Sequence, residues 1–416
     1  MRFIDLFAGA GGFSEGFKRA GFEPVAHVEA NTAACLTLKT RLSYYYLAEN
    51  NGIDIYTDYL RGEISRDKFY SFVPPHILES VINLSIGEKG NPEIFQIIDK
   101  MRDSREIDVI VGGPPCQAYS LVGRARDQNG MLGDPRSYLY IHYGRFLSRY
   151  TPKLFVFENV VGLLSAEQGK YFKNLKKYFK RLGYAVKPIT VNANNFGVLQ
   201  NRKRVIIIGW RKGMDLSIGD LNEPVGMKYK VLSIFQDLPK IHAGEGENKY
   251  SAYADVTNPY LCFAKIRKGV NVLTQHVARP HTEQDKEIYR TAVEKWNKDK
   301  ARLDYNDLPD RLKTHKNKHS FKDRFKVVAD NLPYSQTVVA HIAKDGHYYI
   351  HPDILQNRSI SVREAARLQS FPDNYYFEGA GREGRIRTPA FRQIGNAVPP
   401  LMIETIARKL LEHLKS

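Results

Sequence analysis

The amino-acid sequence predicts an α/β fold, a doubly wound, Rossmann-like sheet domain followed by a smaller domain of mainly irregular and β structure. Three observations predict it. Short apolar runs alternate with helical stretches as far as about residue 212, the pattern written by strands and crossover helices. The chain opens on a strand, glycine loop, helix, strand unit. Beyond Trp210 the alternation stops, and residues 213–357 hold short mixed segments, many turns and the basic run KTHKNKHSFKDRFK at 313–326.

Taken in order, RFIDLF (2–7) is a short apolar strand that runs into AGAGG, and FSEGFKRAG reads as a helix ended by Gly21. PVAHVEA (24–30) is the second strand, with the acidic Glu29 near its end. Residues 40–105 are mixed and form an insertion ahead of the next sheet strand. The run 107–111 is too short for a helix and rich in Ile and Val, so it reads as a buried parallel strand. Gly112 and Gly113 end it, and Pro114 and Pro115 present Cys116 on a stiff turn.

A polar loop, GRARDQNGMLGDPRS (123–137), follows, and KLFVFENV (153–160) is another strand. In the helix GKYFKNLKKYFKRLGY (169–184), Tyr171, Leu175, Tyr178 and Leu182 fall at helical spacing. Seven basic residues and no acid lie between 170 and 187, a solvated helix face or a polyanion contact. YAVKPITVNA and RKRVIIIGW supply two more strands. Residues 1–212 form the first domain and 213–357 the second, with a hinge and helix region at 358–390 that contains the helix SVREAARLQSF. The segment 391–416, a loop and an amphipathic helix, returns to the first domain.

Composition narrows the partners. The chain has 62 Lys and Arg against 45 Asp and Glu, a formal net charge of +17. An excess of that size meets a polyanion such as nucleic acid or an anionic membrane surface. No apolar stretch approaches the roughly 20 residues of a spanning helix, so no membrane insertion is expected. Asp5 interrupts the first apolar run and no small-residue cleavage pattern follows it, so no signal peptide is expected. Cys35, Cys116 and Cys262 are odd in number and widely spaced, so neither a disulfide framework nor a metal site is expected, and a reducing cytoplasm fits.

Several residues could carry chemistry. In open α/β sheets ligands sit at the carboxyl ends of the strands, where Cys116 is presented, so this cysteine is a nucleophile or an inert buried side chain. The glycine loop suits close backbone approach to a ligand, and departs from both the phosphate-binding P-loop and the dinucleotide fingerprint. A nucleoside cofactor without a pyrophosphate suits it better. Glu29 can accept hydrogen bonds from ribose hydroxyls, or is a surface carboxylate. Glu158 could present a proton to a heterocycle nitrogen, or cap a helix beginning near Val160. Strand alternation places Arg202 and Arg204 on one face with Lys203 opposite, as donor forks to a base or phosphate or as sheet-edge ion pairs. Asn396, in QIGNAVPP, could bind a cofactor edge or cap the last helix.

Together, FIDLFAGAGGF, GGPPCQAYS, FENV, QNRKRVIIIG, RSISVREAARLQSFPD and QIGNAVPP resemble six ordered signature blocks of the DNA cytosine-5 methyltransferase family, of the bacterial restriction-modification type. They extend over nearly the whole chain, with a variable region between the fourth and fifth. The resemblance implies an S-adenosyl-L-methionine-dependent methyltransferase domain and a target-recognition domain at 213–357. It implies that Phe7, Ala8, Gly9, Gly11, Gly12, Glu29, Pro115 and Asn396 hold S-adenosylmethionine.

On the same basis Cys116 is the nucleophile that adds to carbon 6 of a flipped-out cytosine, with Glu158, Arg204 and Arg202 in the catalytic set. Gln117, Ser120, Arg124 and Arg126 would lie on a loop that closes over double-stranded DNA. The implied protein is a cytoplasmic, prokaryotic monomer, with a cognate restriction endonuclease that forms no stable complex with it. Two departures stand out: the long 40–105 gap, and Ala30 where many members carry a bulkier residue against adenine. A DNA-binding protein without the reaction, and an RNA methyltransferase, are the competing readings. Intact Cys116, Glu158 and Arg204 argue against the first, and the large variable region against the second.

Overall fold

A computed structural model of the protein describes residues 1–115, 138–214, 221, 229–256, 258–267, 269–315, 321–380 and 387–415. Its centre is a sheet of seven strands: β1 (Arg2–Leu6), β2 (Glu23–Val28), β3 (Val81–Ile82), β4 (Val109–Gly112), β5 (Leu154–Asn159), β6 (Tyr184–Asn192) and β7 (Lys203–Arg211), in the order β3-β2-β1-β4-β5-β7-β6. The first five pair in parallel. The last two do not: β7 is antiparallel to both β5 and β6. The sequence reason is the short connection 193–202, since a return to a parallel neighbour needs a crossover of a dozen residues or more.

Strand alternation builds two cores. Phe3, Val109, Val111, Leu154, Val156, Ile206 and Ile208 face one side and pack with Phe13 and Phe17 of the helix Gly12–Arg19 and with Ile403 and Ile406 of the helix Pro400–Lys415. Ile4, Ile110, Phe155, Phe157, Val205 and Ile207 face the other, against Phe146 of the helix Leu139–Tyr150 and Leu175 and Phe179 of the helix Lys170–Arg181. The two helices on the first face meet closely, because Gly16 has no side chain: a Cβ there would stand 2.5 Å from Ile403.

The region read as an insertion at 40–105 is more regular than its sequence suggests. Residue 40 lies inside the 18-residue helix Thr32–Glu49, and the stretch supplies both the edge strand β3 and Tyr56, Tyr59 and Phe69 of a separate aromatic core that Tyr376 completes from far along the chain. Another correction concerns QIGN, expected in a loop. It forms the last turn of a helix, Arg387–Asn396.

Between 213 and 357 regular structure is sparse among the described residues. Two short strands, β8 (Gly246–Glu247) and β9 (His276–Val277), pair antiparallel. The 17-residue helix Glu283–Asp299, opened by a Thr282–Asp285 capping box, packs Ile288, Tyr289 and Val293 against Tyr305, Leu312 and Phe325. The region is not insulated from the sheet, for Val231, Ile234, Tyr260, Val328 and Val338 join the core that contains Phe3 and Val156. Among the described residues no helix is long and apolar enough to cross a membrane.

Candidate active site

The glycine loop leaves β1 with backbone that most side chains avoid. Phe7, Gly9 and Gly11 have φ values of 56°, 54° and 82°. Glu29 braces this shape from the end of β2, accepting Gly9 N at 2.8 Å on one carboxylate oxygen and Asn31 N at 2.7 Å on the other. From behind, the Tyr375 hydroxyl donates to the carbonyl of Ala10. Gly12 then starts the helix, and its lack of a Cβ is required, since one would meet Val398 O at 2.2 Å. Its N-cap is Gly11, which has no side chain to offer the first N–H groups.

A second structure stands at the ends of β4 and β5. Buried Asn159 donates to Pro114 O at 3.2 Å and accepts Val160 N at 2.9 Å, fastening the double-proline turn to the strand beside it. Glu158, one residue earlier, does not cap the following short helix. Its Oε1 lies 2.8 Å from Nε of Arg204, both side chains 13% exposed, and Arg204 Nη1 is steadied by Lys203 O at 2.8 Å. The antiparallel register of β5 and β7 makes this pairing possible, because Asn159 stands opposite Val205 and brings Arg204 to the rim. A carboxylate and a guanidinium held this way offer a donor and acceptor face to a planar heterocycle.

Both structures open on one cleft of about 1850 Å³. That exceeds the roughly 300–1,000 Å³ of a small-molecule pocket and leaves room for a polymer. Phe7, Ala8, Gly9, Gly12, Glu29, Pro115, Glu158, Arg202, Arg204 and Asn396 all line it. Gly11 sits behind the loop, where a Cβ would meet Leu38 at 2.7 Å and Tyr375 at 2.8 Å. The lining also includes Arg324, Thr337, Val339 and Tyr348 from the variable region. Cys116, Gln117, Ser120, Arg124 and Arg126 fall outside the described residues.

Arg202 needs correction. The sequence offers it as a fork to a base or phosphate, or as half of an ion pair, yet it is 1% exposed and its guanidinium donates to Val338 O at 2.8 Å and Gly395 O at 3.4 Å. Its group is committed to backbone, so it acts as a brace. Asn396 ends the helix Arg387–Asn396 with its side chain exposed to the cleft.

Sequence reasoning passed over Asn159, Tyr375, Gln200 and Asp5. Asp5 lies wholly buried in β1, accepts Ser14 Oγ at 2.6 Å, and has its pKa pushed up to about 7, chiefly by burial. A charged residue inside an apolar strand was the available signal.

A profile of the family described as C-5 cytosine-specific DNA methylase matches residues 1–68 and 84–412. The chain is 42% identical to the Type II methyltransferase M.Bpa9945I of Bacillus paralicheniformis, over 98% of each protein. It is 31% identical to the Type II methyltransferase M.DdeI of Desulfomicrobium norvegicum, over 99% of this chain and 88% of that one. Among solved structures, a candidate DNA modification methyltransferase encoded within an E. coli prophage superposes with a TM-score of 0.66 at 24% identity, over the whole of both chains. S. pombe Dnmt2 methyltransferase superposes at 0.54 and 14%, also over both whole chains, a likeness of fold.

Proposed function

The chain belongs to the C-5 cytosine-specific DNA methylase family, and from that premise we propose that it methylates carbon 5 of cytosine within a specific sequence of double-stranded DNA. In this reading it is the modification enzyme of a type II restriction-modification system, as its relatives' names suggest. It acts as a monomer, without a stable complex with the endonuclease. The methyl donor is S-adenosylmethionine.

The residues present fit that donor. An uncapped helix start, a glycine cradle that a Cβ on Gly12 would fill, and the Glu29 carboxylate at the end of β2 suit a nucleoside bearing hydroxyls. Phe7, Ala8, Gly9, Gly12, Glu29, Pro115 and Asn396 would hold it, with Gly11 shaping the loop from behind. When bound it supplies an electrophilic methyl group on a sulfonium.

The chain's own residues do the rest. Because a stacked cytosine exposes neither ring face, the base must leave the duplex and enter the cleft. The Cys116 thiolate then forms a bond to carbon 6, and the electron pair released from the double bond makes carbon 5 nucleophilic. Glu158 faces ring nitrogen 3 and the exocyclic amino group, which stabilises charge pushed into the ring, and Arg204 orients the carbonyl at position 2. After methylation the carbon 5 proton passes to water and the bond to Cys116 breaks. Loop residues Gln117, Ser120, Arg124 and Arg126 close over the DNA.

The observation that carries this reading is the Glu158–Arg204 pair beside the 113–115 turn, across one cleft from the glycine loop. The test is transfer of tritium from labelled donor to duplex DNA by wild type and Cys116→Ser, with bisulfite sequencing of DNA from expressing cells. Duplex labelling that the substitution abolishes, with converted cytosines in one sequence context, is expected. Retained transfer in the variant removes the nucleophile, and preference for transfer RNA over duplex DNA removes the substrate.

A further inference from the structure

The segment 199–202, with Leu199, Gln200 and Arg202 buried, runs beside 335–338 of the variable region, and Gln200 pairs in parallel with Ser335. Ser335 N donates to Leu199 O at 3.0 Å, Asn201 N to Ser335 O at 2.9 Å, and Thr337 Oγ1 to Asn201 O at 2.6 Å. Two wholly buried side chains then hold both backbone groups of Val338: its N–H donates to Gln200 Oε1 at 2.9 Å, and its carbonyl accepts Arg202 Nη1 at 2.8 Å.

The same two side chains reach the end of the helix Arg387–Asn396. Arg202 Nη2 donates to Gly395 O. Gln200 Nε2 donates to Gln369 Oε1 at 3.1 Å, and Gln369 Nε2 donates in turn to Ile394 O at 2.7 Å and Ala397 O at 3.2 Å. The two backbones touch, for a Cβ on Gly395 would stand 2.3 Å from Ala340 N.

The residues on either side of this joint face the cleft. Asn396 follows Gly395, and Val339 follows Val338. Val339 is 41% exposed although Tyr349 fixes its N–H and the carbonyl of Thr337. That much buried hydrogen bonding beneath an exposed apolar side chain aims it. A guanidinium holds two donor nitrogens apart in a rigid plane and so suits carbonyls on two separate segments, whereas an ammonium is a single nitrogen on a flexible stem.

We propose that Arg202, with Gln200, is a positioning residue that joins the DNA-facing wall at Val339 to the cofactor rim at Asn396, so that occupancy of one site raises affinity at the other. This rests on the methyltransferase reading above. Coupling of this kind is reciprocal, so it is measurable from either ligand.

The test uses the full chain, S-adenosylhomocysteine, and a duplex containing the sequence found by bisulfite analysis. In wild type, S-adenosylhomocysteine alone slows hydrogen exchange at the amides of Val338 and Val339, and the duplex tightens its binding about tenfold. Arg202→Lys keeps the charge but replaces the two fixed nitrogens that reach Val338 O and Gly395 O by a single ammonium on a flexible stem. It is expected to cut the coupling to below about threefold while binding without DNA changes less than that. Wild-type amides that ignore the ligand overturn the proposal whether or not the variant folds, as does an unchanged coupling factor in Arg202→Lys. A wild-type protein that binds no S-adenosylhomocysteine overturns the cofactor reading as well.

Discussion

Glu158 occupies space that a side chain on Gly113 would need: a Cβ there would stand 2.7 Å from Glu158 Oε2. The carboxylate is thus held on two sides, by the bare backbone of Gly113 and by the Arg204 guanidinium at 2.8 Å. Gly113→Ala pushes the end of a long side chain and no backbone, so the fold should lose less than about 1 kcal/mol. Chemistry should suffer far more, since a displacement of about 1 Å at a reacting group costs on the order of 100-fold. Single-turnover methylation should fall about 10- to 100-fold with the melting temperature nearly unchanged. A variant with wild-type rate would show that the placement of Glu158 is not set by this contact.

The interior of the sheet makes a second prediction, about pH. Asp5 stands opposite His27 in the register of β1 and β2, and both are fully buried. Burial pushes Asp5 up to about 7, against the Ser14 hydrogen bonds, and pushes His27 down to about 4. Native Asp5 therefore keeps a proton that the unfolded chain releases above about pH 4, so its contribution to stability falls as pH rises toward 7. His27 has the opposite sign: the unfolded chain takes a proton below about 6.5 and the native state does not, so stability falls as pH drops from there to 4. The two slopes, each at most about 1.4 kcal/mol per pH unit, oppose one another at acidic pH. Asp5→Asn removes the first alone. Urea titrations between pH 4.5 and 7.5 should show the variant gaining on wild type as pH rises; parallel curves would sink the assignment.

How far the sequence leads is clear from particular residues. The glycine loop, Glu29, the double-proline turn and Glu158 were legible because each lies where a local apolar run stops, and strand ends are where ligands bind in this class of fold. The role of Arg202 was not. Alternation along a strand says which face a side chain takes, never which distant carbonyls it meets, and Val338 and Gly395 are 136 and 193 residues away. Pro389 and Gly395 hid the helix Arg387–Asn396, since both residues ordinarily break a helical pattern. For the helix Glu283–Asp299 the signal was present, in Thr282 followed three residues later by Asp285, and a charged exterior masked the apolar face.

A third prediction concerns how the variable region is fastened. Asp237, wholly buried, accepts Arg367 Nη1 at 2.5 Å on one oxygen and Arg267 Nη1 at 2.5 Å on the other, while Arg367 also binds Asp373. Removing one member of such a cluster strands buried charge, at a cost of about 3–5 kcal/mol. Asp237→Ala should lose about that much stability in urea unfolding. Loss of less than about 1 kcal/mol would mean that the arginines find water or other acceptors.

Tyr375 offers the cleanest separation of binding from chemistry. Its ring packs in the core with Phe371 and Phe377, and its hydroxyl reaches the carbonyl of Ala10 in the glycine loop, which Gly11 allows by leaving room. Tyr375→Phe keeps the ring and deletes one hydrogen bond, worth about 1 kcal/mol. The left-handed backbone at Gly9 and Gly11 then loses its rear support but keeps its front one, the Glu29 carboxylate on Gly9 N. A loop that is looser before the donor binds lowers the competent fraction, so apparent affinity drops by that fraction while the bound complex reacts as before. KM for S-adenosylmethionine should therefore rise about three- to tenfold with kcat within about twofold of wild type. An unchanged KM would free the loop from Tyr375, whereas a fall in kcat at constant KM would place the support in the transition state and not in the empty site.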